Sequence, residues 1–195
     1  PEFLRPAVGR TRDVPGDVIT HETMAALAQA GRPTWLFAPD GRDLSLFPQP
    51  VREYLLHGQE LGIHQRVLIA TRRPWYKMEV RVAPPILFAY LGRRNVRFIR
   101  NLAGALPLTG FICLYPRQRD AAFIDGLWRV LQHPQTLENL ALVGKSYGDG
   151  AIKVEPRALE RLRLPPEVLV QAGLAPTRGV RQLRLMETEA EYMTA

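Results

Sequence analysis

The 195-residue chain lacks most features that would mark a secreted, membrane or redox protein. Its one cysteine, Cys113, lies inside the apolar run GFICLYP, so an internal disulfide is excluded and a small packed hydrophobe in a reducing cytoplasm is expected. No apolar run approaches the ~20 residues that cross a bilayer. The longest, around Val82 to Leu91, is broken by Pro84 and Pro85, and no signal peptide precedes it, so no membrane partner is expected. Lysine is scarce: of 26 basic residues only Lys77, Lys145 and Lys153 are not arginine. Arginine is the side chain suited to bidentate contact with phosphate or guanine. Repeats at a period of roughly 20 to 50 residues are also missing.

The most informative scarcity is of acid in one place. Between Arg66 and Arg119 stand eleven basic residues against the single acid Glu79, while the rest of the chain carries 15 basic and 18 acidic residues. The whole net charge of +7 is therefore concentrated in one central segment, the pattern expected when one surface faces a polyanion. A composition that is 46% hydrophobic and 23% charged is otherwise that of a globular protein.

Punctuation along the chain predicts an α+β fold: a central, mostly antiparallel sheet with flanking short helices in a single domain. Residues 1–18, rich in Pro, Gly and charge and without an initiator Met, read as a linker from a missing upstream domain. The domain then spans 19–176, and 177–195 form a charged tail. Thr20 is a good N-cap for a helix that stops at Gly31-Arg32-Pro33. TWLFA (34–38) reads as a strand before the turn Pro39-Asp40-Gly41, and a second helix starts near Pro50, weakened by Gly58 and Gly62. In YKMEVRV, Tyr76, Met78, Val80 and Val82 alternate with Lys77, Glu79 and Arg81, which predicts a strand with Tyr76 and Met78 on the buried face and Trp75 on the Lys77 face. ILFAY, VRFI and TGFICLYP follow as strands. Ile124, Leu127, Trp128 and Leu131 then recur at helical spacing after an Asp120 cap, and Pro134 ends that helix.

Gly144-Lys145-Ser146 resembles the end of a phosphate-binding loop, but Asn139 stands where that motif needs glycine, so a helix cap at Gly144 is the better reading. His57, Glu60 and His64 fall near one helical face without the further ligands a metal site needs. No nucleophile elbow and no glycine-rich dinucleotide loop is present. Residues 72–101 carry more, because arginines can hold phosphates while interleaved aromatics stack on bases or ribose. The plain alternative is that Trp75 and Tyr76 are core aromatics and the arginines a solvated face. SYGDGAIKVEP has glycines at 148 and 150 that permit close backbone approach to a ligand, flanked by Lys145, Tyr147 and Lys153, but its spacing reads better as a β-turn before a strand.

Taken in order, RRPWYKMEV…APPILFAYLGRRNVRFIRN, CLYP and KSYGDGAIKVEPRALERLRLP resemble the C-terminal target-recognition region of adenine-specific DNA methyltransferases of bacterial restriction-modification systems. In that family an Arg-x-Pro-Trp-aromatic segment, a strand end closing on Arg, a basic stretch ending in Asn, and a YGxGxxKxEP ending follow one another. Here they are Arg72 to Tyr76, Tyr90 to Arg94, Arg97 to Asn101, and Tyr147 to Pro165. The resemblance covers about residues 65–166 well and the first 60 loosely, through FLRPAVGRTRDV. Thr109 stands where the family usually has Asn.

The resemblance implies sequence-specific binding of duplex DNA, with Arg72, Arg73, Lys77, Arg93, Arg94, Arg97 and Arg100 supplying phosphate and base-edge contacts. Trp75, Tyr76, Asn101, Lys145, Tyr147 and Lys153 would shape or line the same surface. The family's catalytic Pro-Pro-aromatic motif, which holds a flipped adenine, is missing: the two Pro-Pro pairs read Ala83-Pro84-Pro85-Ile86 and Leu164-Pro165-Pro166-Glu167. A glycine-rich S-adenosylmethionine loop is missing too. Catalysis and the cofactor are thus expected in an upstream methyltransferase domain of the same polypeptide, and none from this chain alone. The residues by themselves also leave open a single-stranded DNA or RNA module that stacks bases on its aromatics, and a structural domain whose basic face meets an acidic protein.

Overall fold

The computed structural model describes residues 2–79, 81–92, 96–147 and 151–174, the side chains of 91–92, 146–147 and 151–152 excepted. In chain order its elements are β1 (Leu4–Val8), β2 (Val18–Ile19), α1 (His21–Gln29), β3 (Trp35–Phe37), α2 (Gln49–Glu60), α3 (Val67–Ala70), β4 (Ile86–Ala89), β5 (Leu91–Gly92), β6 (Arg97–Asn101), β7 (Leu106–Pro107), β8 (Phe111–Leu114), α4 (Ala121–Gln132), α5 (Pro134–Val143), β9 (Lys145–Tyr147), β10 (Ala151–Lys153), α6 (Pro156–Leu159) and α7 (Pro166–Gln171). The fold is α+β. Residues 19–176, read from the sequence as one domain, contribute to two compact units: a smaller one of Pro1–Arg5 and Trp35–Val82, and a larger one of Pro6–Thr34 and Ala83–Ala195.

The larger unit is built on a four-stranded sheet in the order β2-β6-β4-β8, with β2 parallel to β6 and the other pairings antiparallel. Strand β4, ILFA, is buried at every position, so both faces of the sheet are covered. Ile86, Phe88, Phe98, Ile112 and Leu114 turn one way, onto Ile124, Leu127 and Leu131 of α4 and Leu140 of α5. Leu87, Ala89, Ile99 and Phe111 turn the other way, onto Val8, Val14, Ile19, Ala103 and Ala105. Register places Phe88 opposite both Phe98 and Ile112, and the two phenyl rings lie 4.8 Å apart.

Residues 6–18, expected as linker, are part of this unit. Ala7 and Val8 pair in parallel with Leu106 and Pro107, and Ala7, Val8 and Val14 are core residues, so a few apolar positions among the prolines and glycines are enough to order the segment. Helix ends follow local chemistry: the Thr20 hydroxyl accepts from the Thr23 N–H at 3.2 Å, and the Asp120 carboxylate accepts from the Phe123 N–H at 2.8 Å. Pro134 opens α5 directly behind α4.

Gly126 sets how closely α4 approaches the end of α7. A Cβ there would lie 2.8 Å from the carbonyl oxygen of Ala172 and 3.1 Å from a methyl of Leu174. Gly126→Ala is therefore expected to lower stability by about 1–3 kcal/mol, overpacking outweighing the gain in helix propensity. The check is a urea midpoint that falls while the slope stays constant.

In the smaller unit, Phe3, Phe47 and Leu55 are buried and Phe37, Leu44, Val51, Trp75 and Tyr76 pack around them. Their rings meet edge to face: Phe3 with Phe47 at 5.1 Å, Phe47 with Tyr76 at 5.6 Å, Trp75 with Tyr76 at 5.7 Å. Helix α2 stops at Gly62, whose φ of 69° terminates it in the left-handed region. Gly58 has a different purpose, since a Cβ on it would come within 3.1 Å of the Trp75 ring.

Candidate nucleic-acid interface

The expected strand over 76–82 is not formed among its described residues. The chain instead turns at 74–76, and the Met78 N–H donates to the Pro39 carbonyl at 2.9 Å rather than to a neighbouring strand. Alternation without a partner strand does not make a sheet. Both aromatics thereby reach the core of the smaller unit, and Trp75 does not share an outer face with Lys77. The Tyr76 hydroxyl donates to the Arg42 carbonyl at 2.8 Å. Burial, reinforced by the carboxylates of Asp43 and Asp40, raises its pKa above the usual phenol value and keeps it neutral. Arg42 is itself committed, donating to Asp40 at 2.7 Å and Glu2 at 2.9 Å while its guanidinium lies 5.0 Å from the Phe3 ring centre.

Turning the aromatics inward leaves the cations outside. Arg72, Arg73, Lys77, Met78 and Glu79 line an open cleft of about 280 Å³. Arg73 and Lys77 are exposed, and Arg72 is half-buried with a guanidinium nitrogen 3.4 Å from the Met78 sulfur. Glu79 is drawn toward Arg81, with oxygen and nitrogen 2.7 Å apart. Three cations against one already-paired carboxylate make this cleft suited to an anion.

In the larger unit the two arginines of β6 behave otherwise. Arg97 and Arg100 are three residues apart on a strand and so point to opposite faces of the sheet. Arg100, on the helix face, donates to the Pro85 carbonyl and to Asp125, both at 3.0 Å, and its side chain is only 12% exposed. Arg97, on the other face, donates to the Val14 carbonyl at 2.6 Å and faces Asp17 at 3.2 Å, at an angle that leaves its Nε without an aligned hydrogen bond. These two charges do not line one surface.

Asn101 is buried and its amide is fully used: it donates to the carbonyls of Pro84 at 2.8 Å and Ala105 at 2.9 Å and accepts from the Ala105 N–H at 3.1 Å. It ties the loop 102–105 to the segment that leads into β4. On the β9–β10 hairpin Lys145 stands opposite Lys153, and both amines lie 3.8 Å from Glu155, which offsets a like-charge pair. Arg93, Arg94 and Gly148 to Gly150 lie outside the described residues, as does the side chain of Tyr147.

Residues 1–190 match the family described as Type II methyltransferase M.Eco57I, C-terminal domain. The chain belongs to that family. It is 27% identical over 195 residues to the Type II methyltransferase M.AccI of Acinetobacter calcoaceticus, covering 98% of this chain and 34% of that protein. It is 32% identical over 104 residues to the Type II methyltransferase M.XamI of Xanthomonas campestris pv. amaranthicola, covering 53% of this chain and 19% of that protein. The chain thus spans about a third of the length of M.AccI. No solved structure matches it.

For a member of the M.Eco57I C-terminal family, other candidate chemistry is thin. Among the described residues no group of three or more His, Cys, Asp or Glu is placed to hold a metal ion. His57 and Glu60 pair at 3.5 Å, while His64 lies beside Trp75, 6.3 Å from its ring centre. No helix among the described residues is long and apolar enough to cross a membrane. Sequence reading passed over α3, where Val67 and Leu68 are 84% and 81% exposed. The signal was present as VLIA directly before the Arg-rich stretch, where an apolar run reads naturally as core.

Proposed function

We propose that this chain is the target-recognition part of a site-specific adenine DNA methyltransferase, docking on duplex DNA in the cytoplasm and positioning an adenine for an upstream catalytic domain. The observation that carries this reading is the open cleft of Arg72, Arg73 and Lys77 in a member of a Type II methyltransferase C-terminal family. Phosphates would be held there and orient the duplex, while base selection needs further contacts in a groove. Arg93, Arg94, Lys145, Tyr147 and Lys153 are proposed to contact DNA from the larger unit. Arg97, Arg100, Trp75, Tyr76 and Asn101 are better supported as positioning residues, since their polar groups or rings are engaged within the protein.

S-adenosylmethionine would belong to the rest of the protein. This chain lacks a glycine-rich loop after a strand and a Pro-Pro-aromatic motif, and no step of methyl transfer is assigned to its residues. Stacking of single strands has less support, because the Trp75 and Tyr76 rings are packed into a core rather than offered to a base.

Competition binding tests the proposal. Excess random-sequence single strand should fail to displace a duplex selected by the chain from a random library, whereas unlabelled selected duplex should displace it. Preference for the single strands, or no enrichment of any duplex, would sink the reading.

A further inference from the structure

A helix of four residues has little stability of its own, and two apolar side chains at its tip add a cost in water. Yet α3 is held firmly. The Arg66 carbonyl accepts from the N–H groups of Ile69 and Ala70, both at 2.8 Å, and the Ile69 carbonyl accepts from the Arg72 N–H at 3.0 Å. The Thr71 hydroxyl donates to the Leu68 carbonyl at 3.1 Å, and the Arg73 guanidinium donates to the carbonyls of Ala70 at 2.6 Å and Arg72 at 2.9 Å. Ile69 is half-buried, while Val67 and Leu68 point out. Every carbonyl from Leu68 to Ala70 has a donor, so the outward pair is presented by a capped turn and is not a frayed end.

The surroundings narrow what would cover it. Arg66 is exposed at the first end of α3, Arg73 closes the second, and Arg72 and Lys77 line the cleft that follows. An apolar tip between cations matches a base step between phosphates: the stack is apolar, its edges are anionic, and wedges of Leu, Ile or Met flanked by Arg or Lys open base steps in other DNA-binding proteins. A protein partner would need an apolar patch ringed by acid. In residues 66–79, all in the smaller unit, four cations stand against the single acid Glu79, and that local excess argues for the polyanion.

We propose that Val67 and Leu68 form an apolar wedge that enters duplex DNA between base pairs while Arg66, Arg72, Arg73 and Lys77 hold the flanking phosphates. This rests on the duplex-binding reading above and extends it to a deformation of the DNA. The opening of one base step by Val67 and Leu68 would make recognition depend on how easily that step unstacks, a source of sequence preference without a base-edge hydrogen bond.

The test compares the wild-type chain with Val67→Ser/Leu68→Ser on duplexes enriched from a random library, with 2-aminopurine placed at successive adenines to report unstacking. Because both side chains are exposed, the variant should melt like wild type. It is expected to bind roughly tenfold more weakly, to lose the 2-aminopurine signal, and to keep the salt dependence of binding, since no phosphate contact is removed. Unchanged affinity and an unchanged 2-aminopurine signal in the variant would overturn the wedge while leaving duplex binding intact. A wild-type dimer that becomes monomeric in the variant, with DNA binding unaltered, would assign the pair to a second copy and overturn it as well. Failure of the wild-type chain to enrich any duplex would instead overturn the binding reading, and the wedge with it.

Discussion

Arg72→Ala/Arg73→Ala/Lys77→Ala is expected to weaken duplex binding on the order of a hundredfold or more at about 0.1 M salt, each phosphate contact contributing close to one power of the salt concentration. The sharper readout is the slope of log affinity against log salt, which should flatten by between about two and three. Two of the three side chains are exposed, and their contacts within the protein, Arg73 on the carbonyls of Ala70 and Arg72 and Arg72 on the Met78 sulfur, are each worth only about 1 kcal/mol. The variant should therefore stay folded. The opposite sign is expected for Glu79→Gln, which removes the one carboxylate of the cleft and releases Arg81 from its ion pair. Were the slope unchanged in the triple variant, the cleft would not be a phosphate site, whatever happened to affinity.

The second large effect is on stability. Asn101→Ala removes two donors and one acceptor from a buried position, leaving the carbonyls of Pro84 and Ala105 and the Ala105 N–H without those partners. Each buried group so exposed costs about 1–3 kcal/mol, and a total near 3–5 kcal/mol would take a large share of the stability of a typical domain. Asn101→Asp should be at least as damaging at neutral pH, since it sets a buried carboxylate oxygen against two carbonyl oxygens. Chemical unfolding of both variants checks this. A DNA-contacting role for Asn101 would show the reverse pattern, weaker binding with an unaltered unfolding midpoint.

The elements most legible in the sequence were those whose signals are local. Thr20 and Asp120 are caps because a short side-chain oxygen satisfies an N–H three residues on, and that chemistry needs no tertiary partner. The strands of the doubly covered sheet were legible too, because ILFA and RFIRN lie in a stretch too short for a helix and rich in branched and aromatic residues. The failures came where distant chain decides. Whether YKMEVRV is a strand depends on a neighbouring strand, and Pro39 offered a single carbonyl instead. The fates of Trp75 and Tyr76 followed from that turn.

One part of the surface was readable and was not read. Arg97 and Arg100 are separated by an odd number, which on any strand sends them to opposite faces. Counting both toward one basic surface overlooked that the expected strand VRFI, carried one residue further to Arg100, sends them apart. Charge density singled out a segment of chain but not which of its arginines are spent internally on Val14, Pro85 and Asp125. Family motifs led to the same over-count, since Asn101 closes a motif and yet spends its amide on Pro84 and Ala105.

Strand β1 has a consequence for inheritance. Phe3 belongs to the aromatic core of the smaller unit, while Ala7 and Val8 four and five residues later belong to the larger. The coding block for the cationic cleft and its supporting core is thus split in the gene, a few leading codons and a long internal stretch from Trp35 to Val82. A recombination that exchanged only the internal stretch between relatives would import a new cleft onto the old Phe3, so the first codons are the ones that must travel with it.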